Sequence, residues 1–293
     1  MNYKNSTVAF VVMLFLFNSS NLFAQGLAGF LNTIEQKNRI GQVQAGLMYG
    51  GGDFSRTGLT GPVSSLSMIG GSIGIKNTFI DPKVLSNHYV GINVLLGSTS
   101  GSATEGSGTF NDVGFGETTA LGATMISLEN RQAYGYALSG SLDVMLSTGG
   151  QWTWSSINPK SYATSDTNNW KSVDDFASGL NFGSTWSPGI EINSGSNFGV
   201  RVGYNWTQVY ARHMYWYWLT SEAIENVAQT GAFYLVNAVT KKGESTYPII
   251  NFVLTNAVSY LFNELRNDQM NWPWDTVAPM NIKSWNISVN YAF

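Results

Sequence analysis

Side chains that commonly carry catalysis are scarce in this sequence. Its 293 residues include no Cys and only two His, His88 and His213, so thiolate chemistry and disulfides are excluded. The carboxylates are scattered without metal-ligand spacing, and no Gly-rich stretch runs into a helix through Lys-Ser or Lys-Thr. The expectation is therefore a protein that is not an enzyme, with no cofactor and no metal. What the chain offers instead is aromatic and ionic. Three W-x-W pairs stand out: Trp152 with Trp154, Trp216 with Trp218, and Trp272 with Trp274. A spacing of two puts each pair on one face of an extended chain. Such pairs serve either as an aromatic girdle at a membrane interface or as a ligand-binding surface that stacks on a glycan or apolar molecule. The second feature is Glu191 with Arg201, on either side of the turn "NSGSN". That turn is expected to set Ile192 opposite Phe198, making Glu191 a diagonal neighbour of Arg201. An ion pair there reads as a plug inside a narrow space, with a gate or binding site as the alternative. Asp143 lies too far along its own strand to join.

Strands must position these residues. In "WNISVNYAF", Trp285, Ile287, Val289, Tyr291 and Phe293 share one face, opposite Ser284, Asn286, Ser288, Asn290 and Ala292. "AYGYALSGSLDVMLS" reads as one strand, with Tyr134, Tyr136, Leu138, Leu142, Val144 and Leu146 against Ala133, Gly135, Ala137, Ser139, Ser141 and Asp143. "NFGVRVGYNW" repeats the pattern, with Phe198, Val200, Val202, Tyr204 and Trp206 on one side and Arg201 among small residues on the other. A soluble sandwich would turn the apolar face inward and long polar chains outward. Here the polar face is small enough to crowd into a lumen, and the bulky face suits lipid. A soluble β-sandwich with the Tyr134–Leu146 face buried is the competing architecture.

Weaker strands at 42–50, 65–76, 88–97, 118–128 and 185–193 bring the count to eight. The connections then alternate: short at 77–87, 129–132 and 194–196, long at 51–64, 98–117, 148–184 and 211–280. Short turns on one side and long loops on the other are the asymmetry of an outer-membrane barrel. The expected fold is all-β, an antiparallel transmembrane β-barrel of eight strands, with ten possible.

Two further segments agree. Residues 1–24 carry Lys4, an apolar run from Val8 to Phe17 and a small residue at Ala24, as a cleaved signal peptide does. Residues 25–40 place Leu27, Phe30, Leu31 and Ile34 at helical spacing, and 41–293 form the barrel. Charged residues make up only 11% of the chain, against about 25% in ordinary soluble domains, while aromatics reach 14%. The net charge of −3 gives nucleic acid no hold.

On these residues the chain resembles the small, roughly eight-stranded outer-membrane β-barrel proteins of Gram-negative bacteria, and the "AQ" at 24–25 is similar to signal junctions of Bacteroidota envelope proteins. The resemblance implies location in the bacterial outer membrane and outer-membrane lipid around the barrel. It also implies that "WNISVNYAF", through Trp285, Ile287, Val289, Tyr291 and Phe293, is read by the barrel-assembly machinery. Around His213, "HMYWYW" lacks the His-x-Ser-Asn pattern of the lipid deacylases of this kind, so that activity is not carried over.

The extracellular insertion 211–280 reads as two helices. One begins with Ser221 as N-cap and Glu222 and Glu225 in its first turn. The other opens at Pro248, with Ile250, Leu254, Ala257, Leu261 and Leu265 along one stripe and Asn256, Ser259, Asn263 and Arg266 along another. A strand hairpin turning at Gly243 is the alternative. The function expected is display of aromatic-rich extracellular loops, structural or binding an extracellular ligand or envelope protein partner. The alternative is passage of small or apolar molecules with 211–280 as a lid.

Overall fold

In the computed structural model, residues 40–57, 65–80, 83–99, 120–161, 173–177, 179–195, 197–211, 214–241 and 243–293 are described. The expected signal peptide, the expected N-terminal segment up to residue 39, His213 and most of the connection 98–117 lie outside them. Alternation of bulky and small side chains carries eight strands: β1 (Ile40–Ser55), β2 (Leu66–Ile80), β3 (Leu85–Thr99), β4 (Ala120–Ser139), β5 (Leu142–Ser161), β6 (Asn181–Ser194), β7 (Phe198–Val209) and β8 (Met280–Ala292). Each pairs antiparallel with the next, and β8 closes on β1, giving a closed eight-stranded barrel. Every backbone ladder is therefore satisfied without an edge. β2–β3, β4–β5 and β6–β7 are joined by short turns at one end of the barrel, the turn end. The long connections gather at the other, the loop end.

One strand call is corrected. "AYGYALSGSLDVMLS" is two strands folded back at Gly140 and Ser141, with Tyr134 opposite Leu146 and Tyr136 opposite Val144. The expected turn at 129–132 is instead the middle of β4. A two-residue turn preserves the side-chain parity, so both arms keep their apolar residues outward and a single alternation masks the reversal. Elsewhere the faces stand as read, and Leu47 on the outward face is 75% exposed.

The insertion forms α1 (Tyr215–Val239) and α2 (Tyr247–Leu265), joined through Gly243 at φ +102°. The turn residue of the hairpin alternative is correct, but the arms are helices and the strand count stays at eight. α1 starts one turn and a half before Ser221, so Ser221 caps nothing. Its hydroxyl lies inside the helix and accepts from Arg266 Nε at 3.0 Å. Pro248 does sit in the first turn of α2, where its missing N–H costs nothing.

Candidate functional site

The lumen divides into two layers. Toward the loop end, inward side chains Phe54, Leu66, Met68, Leu121, Met125, Ile157 and Ile282 form an apolar core. A helical turn at 173–177 sinks Phe176 into it. Arg56 lies over that ring at 4.9 Å, reaches Ala278 O and pairs with Asp175 at 3.4 Å.

Toward the turn end the lumen is ionic. Glu191 and Arg201 face each other directly across β6 and β7, two residues tighter than the diagonal register expected, because Ser194 rather than Ile192 opposes Phe198. The Glu191 carboxylate is 3.8 Å from Arg201 but 2.8 Å from Arg131 Nε, and Arg131 Nη1 donates to Glu129 at 3.0 Å. Two carboxylates and two guanidinium groups thus cancel within one buried cluster. Asn93 donates to Glu129, Arg201 Nη2 donates to Ser187 O and Oγ, and the Tyr89 ring lies 4.5 Å from the Arg131 guanidinium. Asp143 forms no ion pair among the described residues, yet it is not far along the strand as expected: β5 begins at Leu142, and the register sets Asp143 opposite Asn193, one diagonal step from Glu191. Below the cluster, the hollow beside Gln44 and Lys76 leaves about 0 Å³ for water. Glu129 and Arg131 are hidden in the sequence because the unbroken alternation over 133–147 implies a turn at 129–132, which is the middle of β4. Their spacing of two, in phase with Ala133 and Gly135, was the signal.

Arg201 has room to lie flat because two glycines flank it. A Cβ on Gly189 would come within 2.9 Å of its guanidinium, and one on Gly203 within 2.5 Å. Gly189→Val is expected to destabilise the barrel by about 1–3 kcal/mol through overpacking, measured as a lower urea midpoint. An unchanged midpoint would mean that Arg201 moves aside at no cost.

A second polar assembly lies outside the barrel. Even-numbered residues of β4 to β7 face outward, and along them runs a strip of Asn130, Thr148, Ser184 and Gln208. The α1–α2 hairpin covers that strip. Asn256 Nδ2 donates to Thr148 Oγ1 at 2.7 Å, Trp186 Nε1 donates to Asn256 Oδ1 at 2.8 Å, and Gln208 Nε2 donates to Asn263 O at 3.0 Å. At the turn end, Tyr136 donates to Ser245 O and Tyr134 meets the Tyr247 ring edge-on at 5.1 Å. The hairpin therefore descends the outer wall instead of covering the mouth, which removes the lid. Its stripes are also reversed from the usual soluble arrangement: Asn256, Ser259, Asn263 and Arg266 are buried, while Leu261 and Leu265 are exposed. No helix among the described residues is both long and apolar enough to cross a membrane; the polar stripe of α2 is met by the wall at Asn256 and Asn263 and by α1 at Ser259 and Arg266.

Arg266 ties the hairpin together, 2.6 Å from Glu225 and 3.2 Å from Glu222. Those two carboxylates serve this cluster rather than the helix dipole.

The tryptophan pairs are distributed by this packing. Trp152 and Trp154 point outward from within β5, not beyond its end, and pack edge-on against Trp218 and Phe182. In a helix a spacing of two separates side chains by about 200°, so Trp216 is 65% exposed and Trp218 only 9%. Trp272 packs on Phe262, while Trp274 donates to Thr220 Oγ1 and lies near the Tyr217 ring. Trp152 and Trp218 clasp the loop end of the hairpin to the wall, Trp272 and Trp274 pack on its helices and Trp216 stands exposed, so the six make no shared platform. His88 accepts the same logic: it faces outward, buried, with Nε2 2.8 Å from Asn130 Oδ1. Trp285, Ile287, Val289, Tyr291 and Phe293 share the outward face of the last strand and its end, all exposed.

No family model matches the chain, and no curated protein matches it. Among solved structures it is similar to Neisserial surface protein A, at 10% identity and a TM-score of 0.34, covering 88% of this chain and 100% of that one. It is also similar to Ail, the attachment invasion locus protein of Yersinia pestis, at 6% identity, a TM-score of 0.29 and coverage of 88% and 100%. A third is the outer membrane protease OmpT from Escherichia coli, at 12% identity, a TM-score of 0.31 and coverage of 88% and 97%.

Proposed function

We propose that the protein is a non-enzymatic barrel of the bacterial outer membrane, a structural or binding component whose lumen is closed. The carrying observation is the filled interior, an apolar core stacked on a neutral four-charge cluster. An eight-stranded barrel encloses a space that side chains alone can fill. The membrane reading rests on the outward belt of exposed apolar residues, including Leu47, Ile69, Ile73, Val202 and Trp285, and on a closed ladder that lipid tolerates. The C-terminal face from Trp285 to Phe293 serves the assembly machinery in this reading, with the turn end in the periplasm. Passage through the lumen is disfavoured by the plug. Full-length protein reconstituted in a planar bilayer is expected to insert and stay silent. Steady conductance would overturn the closed-lumen reading, and a stable fold in plain buffer without detergent would overturn the membrane itself.

A further inference from the structure

Between the hairpin and the outer wall lies a partly open cavity of about 80 Å³, room for roughly two or three waters. Its helix side presents Glu222, Glu225 and Arg266; its wall side presents Asn130 and, at Gly150, bare backbone. Two observations say what it is built to hold. The first is charge: two carboxylates face one guanidinium, leaving one negative charge in excess where burial makes it costly. The second is Asn130, a lining residue that is 2% exposed: His88 engages its Oδ1, while its Nδ2 has no hydrogen-bond partner. Glu222 Oε1 is ion-paired with Arg266 Nη2 at 3.2 Å but without a hydrogen bond between them, so both atoms keep bonding capacity to spare. An acceptor in excess and a donor in waiting describe a ligand that carries both a cationic N–H group and an oxygen.

We propose that this cavity binds a primary ammonium with a neighbouring oxygen, the chemistry of an ethanolamine or amino-sugar group, with Glu222 taking the ammonium and Asn130 the oxygen. The site rests on the membrane reading only for the source of the amine. The opposite face of the helix carrying Glu222 is apolar, with Val227 74% exposed, so in the membrane reading lipid surrounds the hairpin that holds the site and a lipid head group is one source of the amine. A free amine reaches the same groups. A quaternary ammonium cannot, for it offers no N–H to Glu222.

The test is thermal unfolding of the detergent-folded protein with added phosphatidylethanolamine, phosphatidylcholine, free ethanolamine or free glucosamine, repeated on Glu222→Gln and Asn130→Leu. Phosphatidylethanolamine at a hundred times its Kd is expected to raise the unfolding temperature by roughly 5 °C, with no rise from phosphatidylcholine. Each variant should unfold cooperatively and lose the response at least tenfold in apparent affinity. An equal response to a free amine assigns a soluble source. Equal responses to both phospholipids, or a wild-type response kept in Glu222→Gln, would overturn the site. So would no response to any of the four probes, leaving Glu222 as the holder of a proton. Conductance plays no part here, so a failure leaves the closed-barrel reading standing on its own test.

Discussion

Arg131→Met is expected to lower the stability of the folded barrel by about 3–5 kcal/mol, the range for removing one partner from a buried ionic cluster. The reason is what stays behind. Glu129 and Glu191 are both buried, and Arg131 contacts each of them, at 3.0 and 2.8 Å. Without it, Glu191 keeps Arg201 at 3.8 Å, and Glu129 keeps an amide donor from Asn93 but no cation in contact. A methionine fills part of the volume, so the loss is electrostatic more than steric. Adding Glu129→Gln to Arg131→Met restores neutrality, and the pair is expected to recover more than half of the single-variant loss. Urea unfolding followed by tryptophan fluorescence in vesicles reads both. If the double variant is no more stable than the single one, the four charges do not act as a unit, and the plug is held by packing alone.

Much of this barrel was legible because strand alternation is local. Tyr204, Val202 and Val200 point outward wherever β7 sits, and a closed wall needs only that each strand repeat the rule. The position of a turn inside an unbroken alternation was not legible. Gly140 and Ser141 reverse the chain without shifting its phase, so 133–147 looked like one strand and Glu129 and Arg131 were lost to a supposed turn. In the insertion, the period of α2 was visible in Ile250, Leu254 and Leu261, yet the direction of its faces was not. Amphipathicity says that a helix has two sides; only the solvent beyond it decides which is buried. Here the wall offers Thr148 and Gln208, and the polar stripe turns inward. Outward polar residues on β4 to β7 were the clue, since they interrupt an otherwise apolar outer face and call for another element to cover them.

That clue carries the second large prediction. Removing 211–279 and joining β7 to β8 by a short turn is expected to leave a chain that does not reach a folded, heat-resistant barrel in vesicles. The deletion strips Asn256 from Thr148 and Trp186, and the Asn263 carbonyl from Gln208. It also takes Asn267 from Asn281, whose Oδ1 holds Trp206 Nε1 at 2.9 Å. Each polar group left unsatisfied against hydrocarbon costs about 1–3 kcal/mol, and several of them together approach the whole stability of an ordinary domain, about 5–15 kcal/mol. The backbone ladder is untouched by the deletion, so the defect should be repairable from the wall alone. With Thr148→Leu, Trp186→Phe, Trp206→Phe, Gln208→Leu and Asn281→Val added, so that no donor loses its acceptor, the shortened chain is expected to fold again, read as the shift in gel mobility between unheated and boiled samples. Folding of the bare deletion to the full-length yield would mean that the wall tolerates lipid unaided and that the hairpin is an appendage. Failure of the repaired chain as well would place the hairpin's role earlier, in the path by which the strands find their register.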